Sequence, residues 1–228
     1  MANIKPEKER IAFHTKVMLA AAKLFLRQGY SHTSLREIAD MAGVQISAMN
    51  RAFGSKEHIL LNLVEYVLEG QFIATKQLLQ GKTDDPILFY AAETTLQLYM
   101  AESAEHIREL YAVSYSLPET SGLIMQTITG KLEQIFAAHL PELETRDFYE
   151  LEIASGGVMR SFMMVPCSEA FPIQRKVRRF LETTFKIYDV PKEKMEEAMA
   201  FVSQFDYPAL AQSAIDQMLT RLEETWSG

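Results

Sequence analysis

Between Thr33 and Phe53 the chain reads T-S-L-R-E-I-A-D-M-A-G-V-Q-I-S-A-M-N-R-A-F, a stretch that permits few folds. Ser34 followed three residues later by Glu37 is a capping-box pattern, so a helix can start there with its first amides satisfied. Leu35, Ile38, Ala39 and Ala42 give that helix one apolar face at three- and four-residue steps. Gly43 can take a left-handed conformation, which stops the helix and turns the chain. Val44, Met49 and Phe53 resume the apolar stripe on a second short helix, and Ala39 is small enough for the two helices to cross closely. The pattern is that of a helix-turn-helix, whose second helix can enter a DNA major groove. An ordinary αα-corner has the same local grammar.

Elsewhere apolar residues keep returning at helical spacing, and no run alternates with period two for long enough to make a strand. The spacing predicts a first helix over 7–28, ended by Gly29, and a long fourth helix from an N-cap at Ser55 to about Gln80. Asp85-Pro86 opens a fifth, since proline suits a first helical position. Further helices are expected over about 104–116, 118–140, 145–165, 173–188, 191–205 and 208–226. The expected fold is all-α with about 10–11 helices. A three-helix helix-turn-helix domain spans 1–54 and a larger helical domain spans 55–228.

The net charge of −7 has the wrong sign for a nucleic-acid partner until it is divided along the chain. Residues 1–60 carry nine Lys/Arg against five Asp/Glu, a surplus of +4, and the remainder carries 14 against 25, a deficit of −11. A basic end on an acidic body allows phosphate contact at one end. The charged start, M-A-N-I-K-P-E-K-E-R, lacks the apolar run of a signal peptide, and no segment has the continuous apolar length of a membrane span. Cys167 is the single cysteine, which excludes an intrachain disulfide framework and fits a reducing cytoplasm. The expectation is a cytoplasmic protein with no membrane partner.

Residues 11–60 resemble the DNA-binding domain of the TetR/AcrR family of bacterial transcription regulators. The resemblance rests on A21-A22-x-L24-F25-x-x-x-G29-Y30, on T33-S34, on I38-A39-x-x-A42-G43-V44, and on F53-x-S55-K56-E57-x-I59-L60. It implies a homodimer placing two recognition helices on a palindromic double-stranded DNA operator, and a 55–228 domain serving ligand binding and dimerisation. A small molecule entering that domain would respace the recognition helices, most simply as a ligand-responsive repressor. Three positions depart from the family pattern: Asn50 stands where a phosphate-binding tyrosine is usual, Ala52 where a histidine is usual, and Gln45 where serine often caps the helix. Asn50 can read adenine bidentately and Arg51 guanine, which tyrosine cannot do.

For DNA the expected contacts are Gln45, Ile46, Ser47, Asn50 and Arg51 on the groove face, with Thr33, Ser34 and Lys56 on phosphates. Arg51 and Lys56 have surface ion pairs as their alternative, and Lys5, Lys8 and Arg10 are either phosphate contacts or a solvated helix start. For an apolar or aromatic effector the candidates are Phe89, Tyr99, Tyr111, Tyr115, Phe136, Met159, Phe162 and Met163, any of which can equally be plain core. Two glycines inside a helix, in Ser155-Gly156-Gly157, point to close approach of a dimer partner or of ligand.

The five histidines show no ligand spacing, so neither a metal nor a cofactor is expected. Cys167 is a conceivable thiol sensor but lacks a resolving partner. A protein acting through protein partners, with DNA as platform, is the alternative reading. An enzyme is not expected, for there is no G-x-S-x-G elbow, Walker loop or H-E-x-x-H.

Overall fold

The structure, a computed structural model, describes residues 7–227; Lys5, weighed above as a phosphate contact, lies outside them. Among the described residues eleven helices follow in order: α1 (Glu7–Gln28), α2 (Leu35–Ala42), α3 (Ile46–Phe53), α4 (Lys56–Leu79), α5 (Pro86–Glu102), α6 (Glu105–Ser114), α7 (Pro118–Phe136), α8 (Thr145–Met164), α9 (Ile173–Ile187), α10 (Lys192–Val202) and α11 (Tyr207–Ser227). No strand occurs among the described residues. None of their helices is long and apolar enough to cross a membrane.

The punctuation follows local chemistry. Ser34 Oγ accepts from the Glu37 amide while Glu37 reaches back to the Ser34 amide at 2.8 Å, so the capping box is closed from both sides. Gly43 turns the chain at φ 64°, with its own amide donating to Asp40 and that of Val44 to Ala39. Asp85 caps α5 by accepting from the amides of Ile87 and Leu88 ahead of the first turn that Pro86 opens. The seventh helix is shorter than its apolar pattern predicts. It ends at Phe136, whose carbonyl accepts from both His139 and Leu140 in a tight turn, so the apolar Leu140 belongs to the turn.

Two hydrophobic cores result. The smaller joins α1–α3 to the first turns of α4, burying Val17, Phe25, Ile38, Met49, Phe53, Ile59 and Leu60, and reaches Ile124 of α7 and Leu222 of α11. The larger is built around α5, which is buried on nearly every side, as an all-round apolar helix must be. Around it Phe136 stacks on Tyr188 at 4.2 Å and Tyr90 meets both edge-on. The fourth helix belongs to both cores and is crossed by α11 at Gly70, where a Cβ would come within 2.9 Å of Met218. Lys176 is fully buried on α9 and pairs with Glu102 at 2.6 Å, fixing α9 to the end of α5.

Candidate nucleic-acid interface and effector cavities

The second helix of the helix-turn-helix buries Met49 and Phe53 and turns its other face outward. Gln45, Ile46, Ser47, Asn50, Arg51 and Ala52 are exposed, and Ile46 is 43% accessible despite being apolar. The expected groove face is thus one continuous surface. Gln45 caps α3 without a side-chain hydrogen bond, which leaves its amide group outside the fold's own bonding.

The expected phosphate contacts divide. Ser34 is exposed, but its hydroxyl also donates to Glu37 at 2.7 Å within the capping box. Thr33 is 2% accessible, and its hydroxyl donates to the Gly29 carbonyl at 2.7 Å, so its side chain closes the α1–α2 turn and does not face a phosphate. Lys56 also points inward. Its ammonium donates to the carbonyls of Tyr30 and Thr33 at 2.8 and 2.9 Å and sits 4.1 Å from the Tyr30 ring centroid. It staples the start of α4 to the α1–α2 turn, so both residues hold the recognition unit together.

Two small cavities lie on the side away from α3's outward face, one of them walled in part by α1. One, of about 100 Å³, sits between α1, α4, α6 and α11 and is almost wholly apolar, lined by residues such as Phe25, Leu63, Val67, Ile107, Leu110 and Met218. Its polar wall is formed by Gln71, which donates to the Tyr111 hydroxyl and leaves its own Oε1 buried and unpartnered, and by Gln97, which donates to the Tyr115 hydroxyl at 3.1 Å. The other, of about 40 Å³, shares Gln97 and Tyr115 with the first and contains two carboxyls, Glu93 and Glu152. Burial, with Glu152 nearby, pushes Glu93 up to about 8, and burial pushes Glu152 up to about 7 against the opposing hydrogen bond from Ser155.

Of the expected effector residues, Tyr111 and Tyr115 line the larger cavity, and Tyr115 and Met159 the smaller. The other five lie elsewhere. Phe136 is packed on Tyr188, Tyr99 stacks on Tyr207 at 5.3 Å, and Phe162 meets Phe180 edge-on at 6.0 Å. Met163 is fully buried core, and Phe89 lines an open surface cleft beside Phe72. These side chains satisfy one another, which is why helical spacing alone could not separate them from a cavity wall. Within the chain, the glycines of α8 have different surroundings. A Cβ on Gly156 would meet Glu152 Oε1 at 2.6 Å, so the missing side chain makes room for a buried carboxyl; nothing lies within 4 Å of Gly157.

Sequence reasoning passed over Glu93, Gln97, Gln71 and Glu152. The available signal was charged and amide side chains inside apolar helical runs, above all Glu93 within Ala91-Ala92-Glu93-Thr94-Thr95-Leu96. Cys167 is half-buried, and burial raises its pKa, away from the thiolate that sensing needs. No group of three or more His, Cys, Asp or Glu suited to a metal occurs among the described residues.

With this geometry in place, the model of the bacterial regulatory proteins of the tetR family matches residues 17–63, from the middle of α1 into α4. Residues 17–63 therefore form a helix-turn-helix of the tetR type. The uncharacterized HTH-type transcriptional regulator YuxN of Bacillus subtilis (strain 168) is 32% identical over 90 residues. That match spans 40% of this chain and 29% of YuxN, under a third of the relative's length. Among solved structures, RolR in complex with resorcinol aligns with TM-score 0.65 at 16% identity, over 87% of this chain and 96% of RolR. A gamma-butyrolactone receptor (ArpA-like protein) aligns with TM-score 0.45 at 16% identity, over 92% of this chain and all of that one. The RolR likeness shows a shared fold, in which a helix-turn-helix is followed by a helical domain of the kind built here around α5.

Proposed function

We propose that this chain is a transcription regulator that binds a palindromic DNA operator as a homodimer and releases it when a small molecule enters the cavities of the larger domain. The observation that carries the reading is the position of α6. Ile107, Leu110, Tyr111 and Tyr115, on α6 and its C-cap, line the larger cavity. On the same helix Glu109 accepts a hydrogen bond from the Ser31 amide at 3.0 Å, in the turn between α1 and α2. A ligand that displaces the tyrosines moves α6, and α6 holds the turn from which the recognition unit hangs. Such a ligand weakens DNA binding only to the extent that it prefers the displaced arrangement, and DNA opposes the ligand by the same factor.

The DNA half of the reading rests on the exposed row Gln45, Ile46, Ser47, Asn50 and Arg51. Dimerisation is supported by Tyr149, Ile153, Met164 and Val165, large apolar residues left exposed along α8 and just beyond its end. Large apolar residues left exposed along one helix are commonly covered by a partner, and a two-fold axis makes the same surface serve both copies. Selection of duplexes from a randomised pool by the full chain tests the proposal. It should recover an inverted repeat with half-sites one helical turn apart, about 34–36 Å, or a multiple of that. Recovery of no common sequence would favour a protein that works through protein partners and uses DNA only as a platform.

A further inference from the structure

Glu93 is 6% accessible, and among the described residues it has neither a counter-ion nor a hydrogen-bond donor. Glu152 is 4% accessible and accepts only from Ser155, at 2.7 Å, which in turn accepts from the Tyr188 hydroxyl at 2.7 Å. The two carboxyls line one cavity whose other walls include the rings of Phe72, Tyr90, Tyr115 and Phe180. Gly156 supplies the space Glu152 occupies, and any side chain there would push against its carboxyl. Lys131 also lines this cavity, but its ammonium lies 5.1 Å from the Phe72 ring centroid and pairs with neither glutamate.

A hydrophobic core has no use for two unpaired acids, because desolvating a carboxylate without a partner is costly. Aromatic faces around paired carboxylates are, in contrast, a receptor for a cation. We propose that the effector of this chain is a small organic amine, its ammonium seated between Glu93 and Glu152 and its apolar body in the adjoining cavity. Resting on the ligand-responsive reading above, this names the chemical class of the ligand. The small cavity is about one ammonium group in size, since a water's share of liquid is about 30 Å³. The hydrogen-bonded pair Gln97–Tyr115 belongs to both cavities, so a head group and its body meet there, and the unpartnered Gln71 Oε1 offers the body a single acceptor. Below about pH 7 both acids keep their protons; an ammonium between them drives ionisation of one carboxyl, so the amine's arrival releases one proton to solvent.

Calorimetric titration of the full chain with n-hexylamine and benzylamine, each against its alcohol n-hexanol or benzyl alcohol, tests the site. The measurements are made at about pH 6.5, below the raised values of about 8 for Glu93 and about 7 for Glu152, in two buffers of different ionisation enthalpy. Each amine should bind at least about tenfold more tightly than its alcohol and with proton release. Glu93→Gln and Glu152→Gln, which keep shape and remove charge, should erase both the preference and the proton release while alcohol binding persists. A melting curve for each variant establishes that it is folded. An alcohol binding as tightly as its amine, no binding of either amine at millimolar concentration, or an undiminished preference in the double variant overturns the proposal. Amine binding that leaves operator affinity unchanged keeps the amine site and sinks the regulatory reading instead.

Discussion

Glu109 and Ser31 are 78 residues apart in sequence and joined by one hydrogen bond, 3.0 Å long, that runs from α6 to the turn between α1 and α2. Gly29 lies directly beneath it, with φ +84° and so little room that a Cβ would come against Glu109 Oε2. Although burial opposes its ionisation, the hydrogen bonds from this turn keep the Glu109 carboxyl below its ordinary pKa, so the contact is charge-assisted. Glu109→Ala should therefore leave effector binding within about twofold of the parent while reducing the effector's influence on DNA affinity by about fivefold or more, a coupling of the usual allosteric size. Titrating operator with and without saturating effector for both proteins measures this.

Arg51 is exposed on the outward face of α3 and stands clear of the buried Met49 and Phe53. Arg51→Ala should weaken binding to the selected duplex by about 1–3 kcal/mol and relax the preference at one base position. Circular dichroism and melting should be unchanged. Lys56→Ala differs in kind, since it removes two hydrogen bonds to the α1–α2 turn. It should lower the melting temperature as well as DNA affinity.

Glu93 supplies a pH test that is independent of DNA. Its folded pKa of about 8 lies above the ordinary carboxyl value of 4.5, so between those two values the unfolded chain has lost a proton that the native state keeps. Stability from this group is complete below about pH 4.5 and is lost progressively as pH rises towards 8. Glu93→Gln cannot ionise and escapes that loss. The variant should melt near the parent at low pH and above it at pH 8, by about 2–4 °C for each kcal/mol relieved. Parallel melting curves at both ends of the range decide it.

Ile153 is 53% accessible at the middle of the exposed α8 stripe. Ile153→Arg should shift sedimentation from dimer to monomer and reduce operator affinity by about tenfold or more, because two linked recognition helices bind far more tightly than one. Retention of the dimer would move the seam to another face.

What the sequence made legible follows the physics of each feature. The helix-turn-helix was readable because Ser34, Glu37 and Gly43 act locally, through contacts within a few residues that the structure reproduces at the expected positions. The outward row on α3 followed from the apolar stripe left by Met49 and Phe53. Thr33 and Lys56 were harder, because both side chains reach carbonyls brought near only by the turn between α1 and α2. The larger domain was least legible. An aromatic residue such as Phe136 obeys the same spacing whether it faces Tyr188 or a cavity, and only the assembled helices distinguish the two. Gly156 made sense once Glu152 was seen folded over it. The departures that did carry information were polar: a glutamate within the buried run of α5, and amides on α4 and α5 facing tyrosines of α6 and its cap.

The most direct test of the central claim is fluorescence anisotropy of the full chain on its selected duplex and on a shuffled duplex of the same composition, each across a salt series. The selected duplex should bind about a thousandfold or more tightly than the shuffled one, with affinity for both falling steeply as salt rises. Equal affinity for the two sequences, or binding indifferent to salt, would contradict the account.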